Sequence, residues 1–339
     1  MIRKKFYFIY LIACTILFIP ALPFSARAEN VNTLHQINLF SMETLGDSTL
    51  QEGLAGTFFG KQGNWFILAG GSAFPGGKPW KNGVKHFSDQ VFVFEQLPDG
   101  SFNKVYQGKD LPVPLAEGSY ATLPGGLLCV GGLTPDGITE KSWLLTYSGS
   151  GIIVTEYPSL PVPVKNSTAT VIDTKVYLVG GELADGTSTR QFLVLDVTNP
   201  AAGWTKLPDY PVPVSGATLT SQQDGEEEAL FSFGGRAKKT AAEGTTFYAS
   251  VYHFRPSLNR WTQRGDIRHD DGTSVSLAMA TASAVGGSHV LLYGGDTGHI
   301  FSQVEKAARE GNTAKRDSLW MHHTGFHNKI LIYNTITDT

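Results

Sequence analysis

The sequence predicts an all-β protein, a propeller of four-stranded sheets, and three observations predict it. An apolar run ending in two glycines occurs five times, closing at Gly70-Gly71, Gly131-Gly132, Gly180-Gly181, Gly234-Gly235 and Gly294-Gly295. The leading glycines stand 61, 49, 54 and 60 residues apart. A Pro-Val-Pro turn recurs at 112–114, 161–163 and 211–213, and each is followed by a Ser-x-Ala-Thr segment starting at Ser119, Ser167 and Ser215. Thirty-eight glycines, seventeen prolines and 11% aromatic residues are the composition of short strands joined by many turns. A sandwich with coincidental glycines leaves a period of about 50 residues unexplained.

The third repeat shows how one unit is built. Thr168–Ile172 reads as the inner strand, Lys175–Val179 as the second, Phe192–Asp196 as the third and Trp204–Leu207 as the fourth. The glycine pair ends the second strand, where crowded backbones leave no room for a Cβ. Aromatic residues on outer strands, such as Trp204 and Trp261, fill the wedge between blades. Blades are expected at 53–110, 115–160, 164–210 and 214–265, with a fifth opening at 273 and reaching its third strand at Lys329–Asn334. Leu34–Phe40 reads as a lone strand that would complete the last blade. On this count the sequence stops at Thr339, where the fourth strand of the fifth blade should begin, and most of a sixth blade is expected to be missing.

The first residues predict export. Arg3, Lys4 and Lys5 precede an apolar run from Phe6 to Phe24, and Ser25-Ala26-Arg27-Ala28 offers a cleavage site, so residues 1–28 read as a signal peptide. The mature chain, 29–339, is then periplasmic or secreted. Pro20 and Pro23 argue against a membrane anchor. Leu11-Ile12-Ala13-Cys14 has the form of a lipoprotein box, but the residues after Cys14 stay apolar where a polar tether normally begins. A net charge of −3 without a basic run excludes a nucleic-acid partner. Cys129 lies in the apolar run Leu127–Val130 and reads as a core residue.

Residues just after the second strand of a blade face one mouth of the channel. Glu182, Arg236 and Asp296 each follow a glycine pair directly, and together they offer a carboxylate base and a cation for an anionic ligand. The same residues could simply cap turns or pair with neighbouring loops. The loop Phe74–His86 is rich in glycine and carries Lys78, Trp80, Lys85 and His86. The insert at 296–328 is long for a connection, and Phe301, Val304 and Ala308 fall at helical spacing, which predicts a short helix over the channel mouth. His323 and His327 stand four apart, yet no third ligand accompanies them and Gly325 weakens a helix, so no metal site is expected. No cofactor is expected either.

The glycine pair followed by an aromatic outer strand resembles the Kelch repeat. Within that class, Leu54–Gly60 and Ala69–Trp80 are similar to the N-acetylneuraminate epimerase (sialic acid mutarotase) family, in its cyclically permuted branch. The insert leading into Asn328-Lys329-Ile330-Leu331-Ile332-Tyr333-Asn334 is a second point of resemblance, and the likeness covers roughly residues 53–339. The resemblance implies a six-bladed propeller that interconverts anomers of a small sugar acid. It singles out Phe74, Lys78 and Trp80 as substrate-binding. It also implies a catalytic acid/base glutamate and an arginine on the missing blade, beyond Thr339, so neither role is carried onto a residue here. The turn at Pro211–Val214 lacks an arginine found in relatives, and residues 236–246 match weakly. The alternative is a non-catalytic Kelch propeller that binds a glycan or a protein.

Overall fold

The computed structural model describes residues 54–238, 240 and 243–339. The predicted leader and Leu34–Phe40 lie outside the described residues. Five antiparallel sheets follow one another along the chain as blades of a β-propeller. The first blade comprises Phe58–Gln62, Trp65–Ala69, Gln90–Gln96 and Phe102–Lys109. The second runs Ser119–Leu123, Gly126–Thr134, Gly137–Tyr147 and Ile152–Tyr157. The third is Thr168–Ile172, Lys175–Val179, Phe192–Asp196 and Thr205–Lys206, and the fourth is Thr218–Gln223, Glu228–Phe233, Ser250–Arg255 and Arg260–Asp266. The fifth sheet has three strands among the described residues: Thr281–Val285, His289–Tyr293 and Leu331–Asn334. Residues 335–338 form a turn after Asn334. The Asn334 N–H donates to the Thr339 carbonyl at 2.7 Å, and the Thr337 and Thr339 hydroxyls lie 2.7 Å apart.

The second strands are apolar without alternation because each blade packs on both faces. Leu127, Leu128, Cys129 and Val130 are all fully buried, two facing the preceding blade and two the following one. The core is therefore divided into wedges between neighbouring blades. Phe58, Ile67, Leu127 and Trp143 fill the first wedge, and Tyr177, Phe192, Tyr210 and Phe254 fill the third. Trp261 packs edge-on to Tyr210 at 4.9 Å and tilted against Phe192 at 4.9 Å. Each such ring, fully buried, contributes about 1.5–3 kcal/mol.

The two sequence markers meet in a single hydrogen bond. The N–H of the second glycine in each of four pairs donates to the carbonyl that ends the turn into the next blade: Gly71 to Leu115 (2.8 Å), Gly132 to Val164 (2.9 Å), Gly181 to Val214 (2.8 Å) and Gly235 to Leu277 (2.7 Å). In the first three cases that carbonyl belongs to the residue after Pro-Val-Pro. The first glycine must lie against the same oxygen. A Cβ on Gly180, whose φ is +66°, would sit 2.2 Å from the Val214 carbonyl oxygen. Here only glycine fits.

A second set of backbone bonds runs around the channel. The N–H of Glu117 donates to the Gly56 carbonyl (2.9 Å), Asn166 to Glu117 (2.6 Å), Gly216 to Asn166 (2.7 Å) and Met279 to Gly216 (2.7 Å). All five residues have positive φ, from +53° at Asn166 to +65° at Gly56. This chain of bonds aligns Glu117, Asn166 and Gly216, and so sets Ser119 beside Thr168 and Thr218. The Ser-x-Ala-Thr alignment read from the sequence is out of step with it by one residue and then by three.

The insert after Gly295 forms helices α1 (His299–Arg309) and α2 (Thr313–Met321). Helix α1 buries Val304 and Ala307 and turns Phe301 toward the channel. Ala308, expected on the packed face from its spacing, is exposed because the packed face advances by three residues from Val304 rather than four. His323 and His327 follow the end of α2 and do not share a helix. Among the described residues no helix is long and apolar enough to cross a membrane.

Candidate functional site

The inner strands and the segments leading into them enclose a cavity of about 890 Å³ at one mouth of the channel. Its size is that of a small-ligand site. Its wall is polar around the channel, with Ser119, Asn166, Ser167 and Thr281, and apolar at Leu219, Ala169 and Ala282. Phe301 from α1 and Trp320 from α2 line it from the insert. Trp320 stacks nearly parallel to Trp80, with centroids 6.0 Å apart and planes 5° apart.

Charge enters the cavity as an alternating row. Lys85 pairs with Glu117, Lys165 approaches the other Glu117 oxygen at 3.3 Å, and Lys165 also reaches Glu182 at 3.2 Å. These side chains keep between 18% and 29% of their exposure, enough shelter to strengthen the pairing and enough opening to meet a ligand. Burial alone would raise the Glu117 pKa, but the adjoining Lys85 and Lys165 outweigh it and hold the carboxyl below its ordinary value. Glu117 is thus ionised at neutral pH. It stands at φ +60°, a conformation that costs a non-glycine residue about 1–2 kcal/mol. The neighbour-to-neighbour backbone bonds hold it there.

The residues singled out by sequence occupy the next circle outward. Lys165 bridges to Glu182, Ser215 to Arg236 and Ala278 to Asp296, so each residue after a glycine pair sits beside the residue that precedes the ring. Arg236 lines the cavity, and its guanidinium lies 4.9 Å over the Phe301 ring. Among the described residues it forms no ion pair. Glu182 lines a smaller side cavity of about 220 Å³, which Arg236 also borders. Asp296 accepts a hydrogen bond from the Gly298 N–H (2.8 Å) at the start of α1 and does not border either cavity. Phe74 and Lys78 are exposed outside both cavities, Lys78 preceding the short turn Pro79–Lys81, and Trp80 meets the site through Trp320.

Glu117, Lys165, Asn166 and Trp320 belong to the site and were not singled out from the sequence. The acid/base glutamate expected beyond Thr339 lies outside the described residues, yet the cavity has a carboxylate of its own in Glu117. The signal was present in the spacing. Glu117 and Asn166 stand three residues after the third residue of Pro-Val-Pro, at Pro114 and Pro163. An acidic residue and an asparagine at this turn are conspicuous once the turn is known to need a left-handed residue.

The fold and the site define a propeller with a charged, small-molecule cavity at its channel mouth. A model of the N-acetylneuraminate epimerase family matches residues 157–336, more than half of the sequence. The chain belongs to that family. It is 34% identical over 149 residues to an N-acetylneuraminate epimerase of Vibrio vulnificus strain YJ016, covering 43% of this chain and 35% of the relative. The corresponding protein of Brucella suis is 26% identical over 161 residues (47% and 38%), and that of Salmonella typhimurium strain LT2 is 26% identical over 194 residues (55% and 47%). The matched stretches thus span less than half of these curated relatives. The solved structure of YjhT superposes with a TM-score of 0.56 at 14% identity, over 72% of this chain and 77% of that one. That likeness concerns the fold.

Proposed function

We propose that this protein interconverts the anomers of a sialic acid in the channel-mouth cavity. The observation that carries the reading is Glu117, an ionised carboxylate held between two lysines in a cavity that also presents Arg236, which forms no ion pair among the described residues. Anomer exchange requires opening of a hemiketal. A base takes the proton of the anomeric hydroxyl, the bond from the anomeric carbon to the ring oxygen breaks, and an acid protonates that oxygen. Rotation of the open keto acid and closure on the other face then give the second anomer. In this reading Glu117 is the base and Lys165, beside it, supplies the proton to the ring oxygen. Arg236 takes the sugar carboxylate, for which a planar guanidinium offers two parallel donors. Trp320 and Phe301 offer apolar faces to the pyranose ring.

The test is anomer exchange of N-acetylneuraminate measured by NMR exchange spectroscopy with and without the protein. Acceleration that falls about 10²–10³-fold in Glu117→Gln is expected for loss of a general base. Arg236→Met should raise KM more than it lowers kcat. Binding of the sugar with no acceleration would refute the enzymatic reading and leave a non-catalytic glycan-binding propeller. The proposal includes export to the periplasm or medium, supported by the basic start, apolar run and Ala-Arg-Ala exit of residues 1–28. N-terminal sequencing of the exported protein should begin at Glu29.

A further inference from the structure

The side cavity of about 220 Å³ opens between the loop after the second strand of the third blade, the corresponding loop of the fourth blade, and helix α1. It shares Lys165, Arg236 and Phe301 with the channel-mouth cavity, so a ligand anchored on Arg236 can extend into it. Its remaining walls are almost wholly polar: Glu182, Ser188, Ser215, Lys238, Thr245 and Glu305. These groups are already arranged as hydrogen-bonding sites. The Ser188 hydroxyl donates to Ser215 (3.3 Å) and accepts from the Lys238 N–H (3.3 Å). Glu305 is fixed by the Thr245 N–H and hydroxyl, both at 2.8 Å, one on each carboxylate oxygen. Lys238 Nζ and Arg309 Nη1 stand farther off, 3.9 and 3.8 Å from the two oxygens, beyond hydrogen-bond distance, so each oxygen keeps a lone pair for an incoming hydroxyl.

We infer that this side cavity seats the polyhydroxy arm of the sugar acid, with Ser188 and Glu305 as the residues that discriminate for it. This rests on the sugar-acid reading of the main cavity and adds which part of the substrate is read where. Besides its carboxylate and ring hydroxyls, a sialic acid carries two larger substituents, an acetamide and a three-carbon polyol. The acetamide ends in a methyl group and suits an apolar wall, which the main cavity offers at Ala169, Leu219 and Ala282. The side cavity offers charged and hydroxyl groups with one aromatic edge. Its volume equals that of about seven waters at about 30 Å³ each, room for a three-carbon chain and a few bridging waters. Sites built to hydrogen-bond a hydroxyl reject analogues that lack it, since their polar groups are then left unpaired.

The experiment compares N-acetylneuraminate with its analogue shortened by the two terminal carbons of the arm. Affinity is measured by NMR titration and anomer exchange in the same samples, using the wild-type chain, Ser188→Leu and Glu305→Gln. The wild type should bind the full-length sugar about tenfold or more tightly than the shortened one, as two lost hydrogen bonds predict. Ser188→Leu, which fills the side cavity, should bring the ratio near one, and Glu305→Gln should reduce it severalfold. If Ser188→Leu fails to fold by circular dichroism, Glu305→Gln decides. Equal affinities in the wild type, or an unchanged ratio in the folded variants, would overturn the assignment even if both sugars are turned over. A ratio that collapses in the variants without any acceleration of exchange would uphold the side cavity and sink the mutarotase reading. Failure to bind either sugar would remove both.

Discussion

Replacing Gly180 by alanine should destabilise the propeller far more than the same replacement at Gly63. Gly180 leads a Gly-Gly pair and Gly63 sits in the hairpin turn of the first blade, and both have left-handed φ, +66° and +60°. That conformation costs an alanine about 1–2 kcal/mol, offset by about 0.5 kcal/mol from the stiffer unfolded chain. The surroundings differ. An alanine Cβ at 180 would lie 2.2 Å from the Val214 carbonyl oxygen and 2.8 Å from a Val214 methyl, whereas at 63 it meets nothing within 4 Å. Relieving the clash at 180 means separating the third and fourth blades, an overpacking cost of about 1–3 kcal/mol. It also weakens the Gly181 N–H bond to Val214, worth about 1 kcal/mol. The totals are about 3–5 kcal/mol for Gly180→Ala and about 1 kcal/mol for Gly63→Ala. Urea unfolding followed by tryptophan fluorescence would read this as midpoints about 1 M apart, given an m-value of about 3 kcal/mol/M. Equal shifts would refute the idea that the glycine pair exists for blade-to-blade contact.

Acid should unfold the chain in two stages traceable to the fourth blade. The buried Asp224 carboxylate accepts from His253 Nε2 at 2.9 Å and Arg255 Nε at 2.5 Å. Burial alone would raise it, but the Glu227 and Glu226 N–H groups and Arg255 overcome that and hold it to about 2. Its stabilisation is present above the ordinary carboxylate pKa and lost as pH falls from there through about 2, so Asp224→Asn should flatten the strongly acidic limb of a stability–pH profile. Burial, then Arg264, lowers the His253 pKa, so this ring favours the folded state while neutral, and stability should begin to fall as pH drops below about 6.5. A profile flat down to pH 4 would contradict this. Burial pushes the Cys129 thiol well above its ordinary pKa, and peptide mapping should find it unalkylated in the folded chain and labelled in urea. Trp320→Ala should raise KM for the sugar severalfold with a smaller effect on kcat, since it removes an aromatic wall and the stack on Trp80.

The strands were legible because burial on both faces forces an apolar run and the blade contact forces a glycine pair. Thr168–Ile172, Lys175–Val179 and Phe192–Asp196 coincide with their expected bounds. Arg236 was legible for the same reason, since it follows a glycine pair and lines the cavity. Glu117 was passed over although it keeps a fixed spacing from Pro-Val-Pro, because the Ser-x-Ala-Thr alignment is out of step with the backbone bonds between blades that set its place. Asp296 shares the sequence position of Arg236 within its blade, yet its carboxylate is spent on the N–H of Gly298. The insert that begins there supplies a closer partner than any ligand. Trp320 lies on a helix with no fully buried residue, so periodicity gave no reason to turn it inward.

The chain of backbone bonds from Gly56 to Met279 frees side chains from holding the mouth together. Peptide groups join one blade to the next, and each of the five blades contributes one left-handed residue to a common row, spelled here Gly, Glu, Asn, Gly and Met. A change at Glu117 or Asn166 leaves those backbone bonds in place, whereas a Cβ at Gly56 would meet the Glu117 backbone nitrogen at 2.8 Å and one at Gly216 the Met279 side chain at 2.7 Å. Such a scaffold can drift in chemistry, one blade at a time, while its architecture stands still.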